Sequence, residues 1–237
     1  MDFFVRKLLI VTALVCGMSS IASFGSSKSL ENYRFNYVEK SFSGDMDLTS
    51  IQSVSRDVFE SLLNDGIPAS FRYPFSKVCR NSLEIAEKHQ IDPFWLLAIM
   101  WTESGYRPGV VSPKGAEGLM QIMPGTHKEI TNKLMKGGSR RMNRTAKNIE
   151  MGAIYLKHLL RIFDGNYVFA TAAYNMGPFN VSRRLHKGRN IGSSNRYLRR
   201  VAFAYNSLTS HYRELIRTRS SEIAMDTRDM LQFNSIF

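Results

Sequence analysis

Residues 93–104 read PFWLLAIMWTES, and hardly a position among them suits water. A helix that is apolar around its whole circumference has no face to offer solvent, so other elements must cover it on nearly every side. Its start is marked by Asp92 at the N-cap and Pro93 at the first helical position, where the missing N–H is no loss. Gly105 supplies the stop. Working outward, Ser76 to Gln90 reads as a preceding helix, with Cys79, Leu83, Ala86 and Gln90 on one face. Leu48, Ile51, Ser55, Val58 and Leu62 recur at helical spacing before the Gly66-Ile67-Pro68 break. Further on, Ile149, Ala153, Leu156, Leu160 and Phe163 mark one helix, and Leu198, Val201, Tyr205, Leu208, Tyr212 and Leu215 a long last one. Strand signals are almost absent, GVV at 109–111 being the best. The expected fold is mainly α, a compact multi-helix domain around a buried central helix with little or no β.

The first 25 residues are a separate matter. Arg6 and Lys7 precede the apolar run from Leu8 to Cys16, and small residues follow it, Ser20 and Ala22 among them. That order of regions is the pattern of a secretory signal peptide, and the run is short for spanning a bilayer. Leu14 and Val15 are too bulky for lipidation at Cys16. Export and cleavage would leave Cys79 as the one cysteine of two, with no internal disulfide to form. Its place on an apolar helical face predicts a buried, inert thiol. Residues 26–74 read as a lead-in and helix, 75–217 as the main domain, and 218–237 as a polar tail.

The chain of 237 residues carries a formal charge of +12. Residues 1–25 hold one acid and two bases, so their removal leaves +11. Such a balance favours an anionic partner. The basic stretches KLMKGGSRRMNRTAK (133–147) and RRLHKGRN (183–190) have no interleaved aromatics and no nucleic-acid motif, and read as solvated loops. An exported basic protein meets cell-wall polymer rather than nucleic acid.

Glu103 closes the apolar helix. Apolar surroundings and the negative end of the helix dipole both favour its protonated form, which is what a general acid needs. Beside it, GLMQIMP (118–124) offers Gln121 between Met120 and Met123, with glycines that let a ligand approach the backbone. Ser112 adds a hydroxyl, and AAYNMGP (172–178) adds Tyr174 and Asn175 at a helix-to-turn junction. Apolar faces with convergent amide, hydroxyl and phenol groups suit a sugar. Singly, each has a plainer role: the methionines as core filler, Tyr174 as a core aromatic, Asn175 as a turn former.

The triplet Glu103-Ser104-Gly105, then VSPKGAEGLMQIMP (111–124), NIEMGAIYLKHLL (148–160) and AAYNMGP, in this order and spacing, resembles the catalytic domain of soluble-type lytic transglycosylases. The likeness covers roughly residues 75–215. It implies a goose-lysozyme-like fold, with Glu103 as the single catalytic acid/base and Ser112, Gln121, Met123, Tyr174 and Asn175 along the substrate cleft. It also implies peptidoglycan glycan strands as substrate, cut to 1,6-anhydro-N-acetylmuramic acid ends without metal or cofactor. Cell-envelope or secretion-machinery proteins are possible partners. One departure stands out. Where many members have a Glu-Thr-Arg-x-Tyr segment, alignment on Tyr197 puts Ser193, Ser194 and Asn195, so the acid is missing. Two other readings fit less well: a lysozyme-type hydrolase, which would want a second carboxylate that Glu117 is badly placed to supply, and an idle wall-binding protein, which would have no use for Glu103.

Overall fold

The computed structural model describes residues 60, 64–135, 143–191 and 195–233, with backbone alone at 215, 216 and 219–233. The expected signal segment, the lead-in, nearly all of the helix around 48–62, and Ser193 and Ser194 lie outside the described residues. Among the described residues there are seven α-helices: α1 Ala69–His89, α2 Pro93–Ser104, α3 Pro124–Glu129, α4 Arg144–Ile162, α5 Tyr167–Met176, α6 Pro178–His186 and α7 Arg196–Phe233. A π-helical turn, Ile130–Leu134, extends α3. The described residues form no strand longer than isolated bridges, and two of these pair Val111 with Glu117 and Glu117 with Ile122. The architecture is thus mainly α, as expected.

Every residue of α2 from Pro93 to Met100 is buried. Asp92 caps it as the sequence predicts, its Oδ1 accepting from the backbone N–H of Phe94 at 2.8 Å and of Trp95 at 3.2 Å. Such a cap contributes about 1 kcal/mol. Gly105 ends the helix in the left-handed region, at φ 59°. The α7 and α1 helices lie against α2, while α4 and α5 complete the shell. Cross-ties fix its position. The Tyr205 hydroxyl on α7 donates to Asp92 Oδ2 at 2.6 Å, and the Trp95 indole donates to Thr171 Oγ1 on α5 at 2.9 Å. Leu198, Val201, Leu208 and Tyr212 of α7 face this core, as their spacing implies.

Three boundaries differ from expectation. Helix α1 begins at Ala69, before Ser76, and runs through Pro74, which forgoes one backbone bond in the second turn. The basic stretch 183–190, expected as a loop, begins inside α6. That helix starts on Pro178, buries only Val181, and places Arg183, Arg184 and His186 in its last turn, where they face the negative end of its dipole. At the other end, α7 continues to Phe233 through the stretch read as a polar tail. Cys79 is fully buried and its thiol is pushed up by burial, so it is inert as expected.

Gly152 on α4 is the point where the 106–123 loop rests on the helical shell. A Cβ there would stand 2.5 Å from Met120 Cε, 2.6 Å from its Cγ and 2.9 Å from its Cβ. The last distance involves the stem of the side chain, so the Met120 backbone itself would have to move. Gly152→Val should destabilise the fold by about 1–3 kcal/mol through overpacking, read as a lower urea midpoint. An unchanged midpoint would mean that the loop is not seated on α4.

Candidate active site

Glu103 is the penultimate residue of α2, and its carboxyl is half-buried. Its Oε1 accepts a hydrogen bond of 2.7 Å from the Tyr197 hydroxyl at the start of α7, 94 residues away. That leaves Oε2 as the oxygen to hold a proton. Burial pushes the carboxyl above the usual glutamate range. The Tyr197 bond and the Arg200 charge act in the opposite direction, and burial prevails. Arg200 is fixed one residue away, its Nη2 donating to the Thr102 carbonyl at 2.8 Å. The phenols of Tyr197 and Tyr174 are raised well above their ordinary value, first by burial and then by the Glu103 charge. Both therefore stay neutral O–H donors.

Tyr174 sits at the end of α5 with its ring 5.7 Å from that of Tyr155. Its hydroxyl donates to the Met120 carbonyl at 2.7 Å, which ties the 106–123 loop to the site. Within that loop Ser112 and Gln121 face inward. Ser112 Oγ accepts from the Ala116 N–H at 2.9 Å, and Gln121 Nε2 donates to the Val110 and Gly118 carbonyls at 3.0 and 2.9 Å. Gln121 adopts φ 46°, a strained left-handed conformation that these bonds hold in place. Asn148 of α4 clamps the same turn, accepting from the Met120 N–H at 2.9 Å and donating to the Glu117 carbonyl at 3.0 Å. Gly118 passes so close, at φ 79°, that a Cβ would stand 2.6 Å from the Asn148 amide.

The structure therefore gathers Glu103, Tyr174, Tyr197 and Arg200 into one electrostatic unit. Ser112 and Gln121 hold the backbone of the loop bound to Tyr174. Met123, 40% exposed, opens α3, and Asn175 is exposed beside Tyr174. Glu117 stands on the outer side of the loop in an exposed pair with Arg144 at 3.1 Å. Among the described residues, no carboxylate is among the groups acting on Glu103. Two members of the unit, Tyr197 and Arg200, escape sequence reasoning as site residues. Tyr197 enters it only as an alignment marker, and nothing local announces a bond across 94 residues. Among the described residues, no group of three or more His, Cys, Asp or Glu side chains could hold a metal ion.

Comparison with known proteins bears on the family and the fold. Residues 80–197 match the family described as the transglycosylase SLT domain. The chain is 33% identical to the soluble lytic murein transglycosylase of Salmonella typhimurium over 136 residues, 56% of this chain and 20% of that protein. It is 35% identical to the membrane-bound lytic murein transglycosylase C of Yersinia enterocolitica over 117 residues, 44% of this chain and 32% of that one. Among solved structures, an inactive glutamate-to-glutamine mutant of the lytic transglycosylase Slt from Pseudomonas aeruginosa superposes with a TM-score of 0.50 and 28% identity, covering 61% of this chain and 25% of that chain. The matched region thus spans a third or less of these relatives' lengths. The class defined by fold and site is a helical, lysozyme-like domain with a half-buried glutamate at the end of its central helix. The chain carries a domain of the transglycosylase SLT family.

Removing the Tyr197 hydroxyl takes away a bond that favours the Glu103 anion. In Tyr197→Phe the carboxyl should hold its proton to higher pH, so the alkaline limb of the pH–rate profile on cell-wall glycan moves upward. Folding stability should fall by about 1–3 kcal/mol. A limb that stays in place or moves to lower pH would show that the tyrosine does not act on the acid.

Proposed function

We propose that the chain cleaves the β-1,4 bond between N-acetylmuramic acid and N-acetylglucosamine in peptidoglycan, leaving 1,6-anhydro-N-acetylmuramic acid ends. The observation that carries this reading is a glutamate at the end of a buried helix whose carboxyl burial pushes above the usual glutamate range, with a phenol and a guanidinium as neighbours and, among the described residues, no carboxylate acting on it. The family and the names of the relatives support it.

In this mechanism Glu103 Oε2 gives its proton to the glycosidic oxygen as the bond to C1 breaks. A two-carboxylate glycosidase would place a second acid across the bond. Here the substrate's own N-acetyl group meets the developing oxocarbenium charge. Glu103, now an anion, is stabilised by the Tyr197 hydrogen bond and the nearby Arg200. It then takes the proton of the C6 hydroxyl, which closes on C1 and restores the acid for the next cycle. The same two neighbours that oppose protonation in the resting state therefore ease the donation step. Ser112, Gln121, Met123, Tyr174 and Asn175 line the approach.

The domain assigned to this work is residues 75–217, exported to the periplasm or cell envelope of a bacterium if the first 25 residues act as read. No helix among the described residues is long and apolar enough to cross a membrane.

Product chemistry tests the proposal. The C6 hydroxyl belongs to the same ring as C1, so its effective concentration can greatly exceed that of water. Digestion of glycan strands in oxygen-18 water should leave the new muramic acid ends unlabelled. Labelled reducing ends as the main product would make the protein a hydrolase. In Glu103→Gln, turnover should fall by at least about 10²–10⁴-fold with strand binding retained.

A further inference from the structure

Between Asp164 and Glu214 the chain has seven arginines, one lysine and no acid, so this stretch alone supplies eight of the twelve net positive charges. Four of these bases crowd the end of α6, and the chemistry at Glu103 has no use for them: Arg183, Arg184, Lys187 and Arg189, all exposed. They are not carried on a loose loop. Gly188 turns left-handed at φ 60°, its N–H donates to the Leu185 carbonyl at 2.9 Å, and the Arg189 N–H reaches back to the Arg184 carbonyl at 2.9 Å. This pair of bonds is a Schellman cap, and buried Ile191 pins the chain just beyond it. No ion pair joins Arg184, Lys187 or Arg189 to an acid among the described residues. Phe179, 73% exposed, heads the same helix. Helical spacing puts Phe179, Arg183 and Lys187 on the face turned away from buried Val181. The ring is braced there. Asn180 Nδ2 donates to the Met176 carbonyl at 2.7 Å, Arg183 Nη2 donates to Asn180 Oδ1 at 2.9 Å, and the Arg183 guanidinium lies 5.6 Å from the Phe179 ring centroid.

We propose that α6 and its cap form a docking surface for an anionic phospholipid bilayer, with Arg183, Arg184, Lys187 and Arg189 on the lipid phosphates and Phe179 entering the headgroup layer. This goes beyond the cleavage reaction and does not depend on it. Each base brought to an anionic lipid surface adds to the attraction, and a cluster of about four or more on one element is the mark of such binding. The cap already holds these four in place, so little ordering is left to offset the gain. A bilayer also has what a dissolved polyanion lacks, an apolar layer directly beneath its phosphates. An exposed aromatic ring flanked by cations matches that order of layers, since ring and charge settle at adjacent depths. A phosphate polymer would satisfy the bases and leave the ring in water. Only Met176 and Gly177 separate Asn175 from α6, so docking on this helix would hold the mouth of the candidate site close to the bilayer.

The test sediments the full chain with vesicles of phosphatidylglycerol or of phosphatidylcholine. Residues 1–25 are identical in every chain compared, so differences between chains report α6. The wild type should bind phosphatidylglycerol at least about tenfold more tightly than phosphatidylcholine, and lose that preference as salt rises. The variant Arg183→Gln/Lys187→Gln/Arg189→Gln, with its helical circular dichroism unchanged, should bind phosphatidylglycerol at least about thirtyfold more weakly. A second measurement follows position 179 itself. In Phe179→Trp, vesicles of brominated phosphatidylglycerol should quench tryptophan emission beyond the quenching seen in the wild type. If the triple variant fails to fold, this measurement decides alone. Equal binding to the two vesicle types, unaltered binding by the folded triple variant, or no added quenching in Phe179→Trp would overturn the proposal. So would tighter binding of poly(glycerol phosphate) than of phosphatidylglycerol vesicles, which would make the face a polymer site.

Discussion

A helix that is apolar on every side can exist only if other elements enclose it completely, and both of its ends then carry polar backbone into the interior. In this protein each end of α2 has a carboxylate, Asp92 and Glu103, and each carboxylate receives a tyrosine hydroxyl from the same helix, α7. The two bonds fix α2 antiparallel to α7, and the remaining shell packs around that pair. Burial pushes both carboxyls upward, and the two ends differ in the donors that oppose it. At the N-terminus, the Asp92 carboxylate also accepts two backbone N–H groups and faces the positive end of the dipole. At the C-terminus, Glu103 has no such donors from its own helix and faces the negative end, and only the Tyr197 hydroxyl and the Arg200 charge oppose burial there. Cap and candidate catalyst are the same chemical group placed at opposite ends of one dipole.

Much of this was legible in the sequence because it is local. The N-cap, the proline, the unbroken apolar run and the glycine stop all lie between residues 92 and 105, and each has a short-range physical meaning. The expectation of a mostly helical shell followed from the same run. What was illegible depends on distance along the chain. The bond between Tyr197 and Glu103 joins two elements that only the finished fold brings together. Arg200 looks from the sequence like one more surface base. The inward turn of Gln121 and Ser112 was hidden for another reason. Their side chains bond loop carbonyls and an amide that become available only in the left-handed turn at Gln121 and Gly118. Helix α6 was masked by charge, since one buried valine leaves almost no periodic signal.

The loop and the acid also form a chain of dependence. Gly152 lets Met120 settle on α4, Asn148 clamps the turn, Tyr174 holds the Met120 carbonyl, and the Tyr174 phenol lies within the field of Glu103. Residues that resemble cleft contacts thus work first as the frame that sets the cleft wall. A substitution in that frame would lower activity without touching substrate, by displacing the wall from the acid.

The central claim is that burial pushes the Glu103 carboxyl above the usual glutamate range, towards the form that a general acid needs. The direct measurement is a carbon-13 NMR titration of the Glu103 carboxyl in the folded protein, assigned by its loss in Glu103→Gln. The account predicts a midpoint above the value of about 4.3 found for glutamate in peptides. A midpoint at or below that value would contradict it, because the phenol and guanidinium would then outweigh burial.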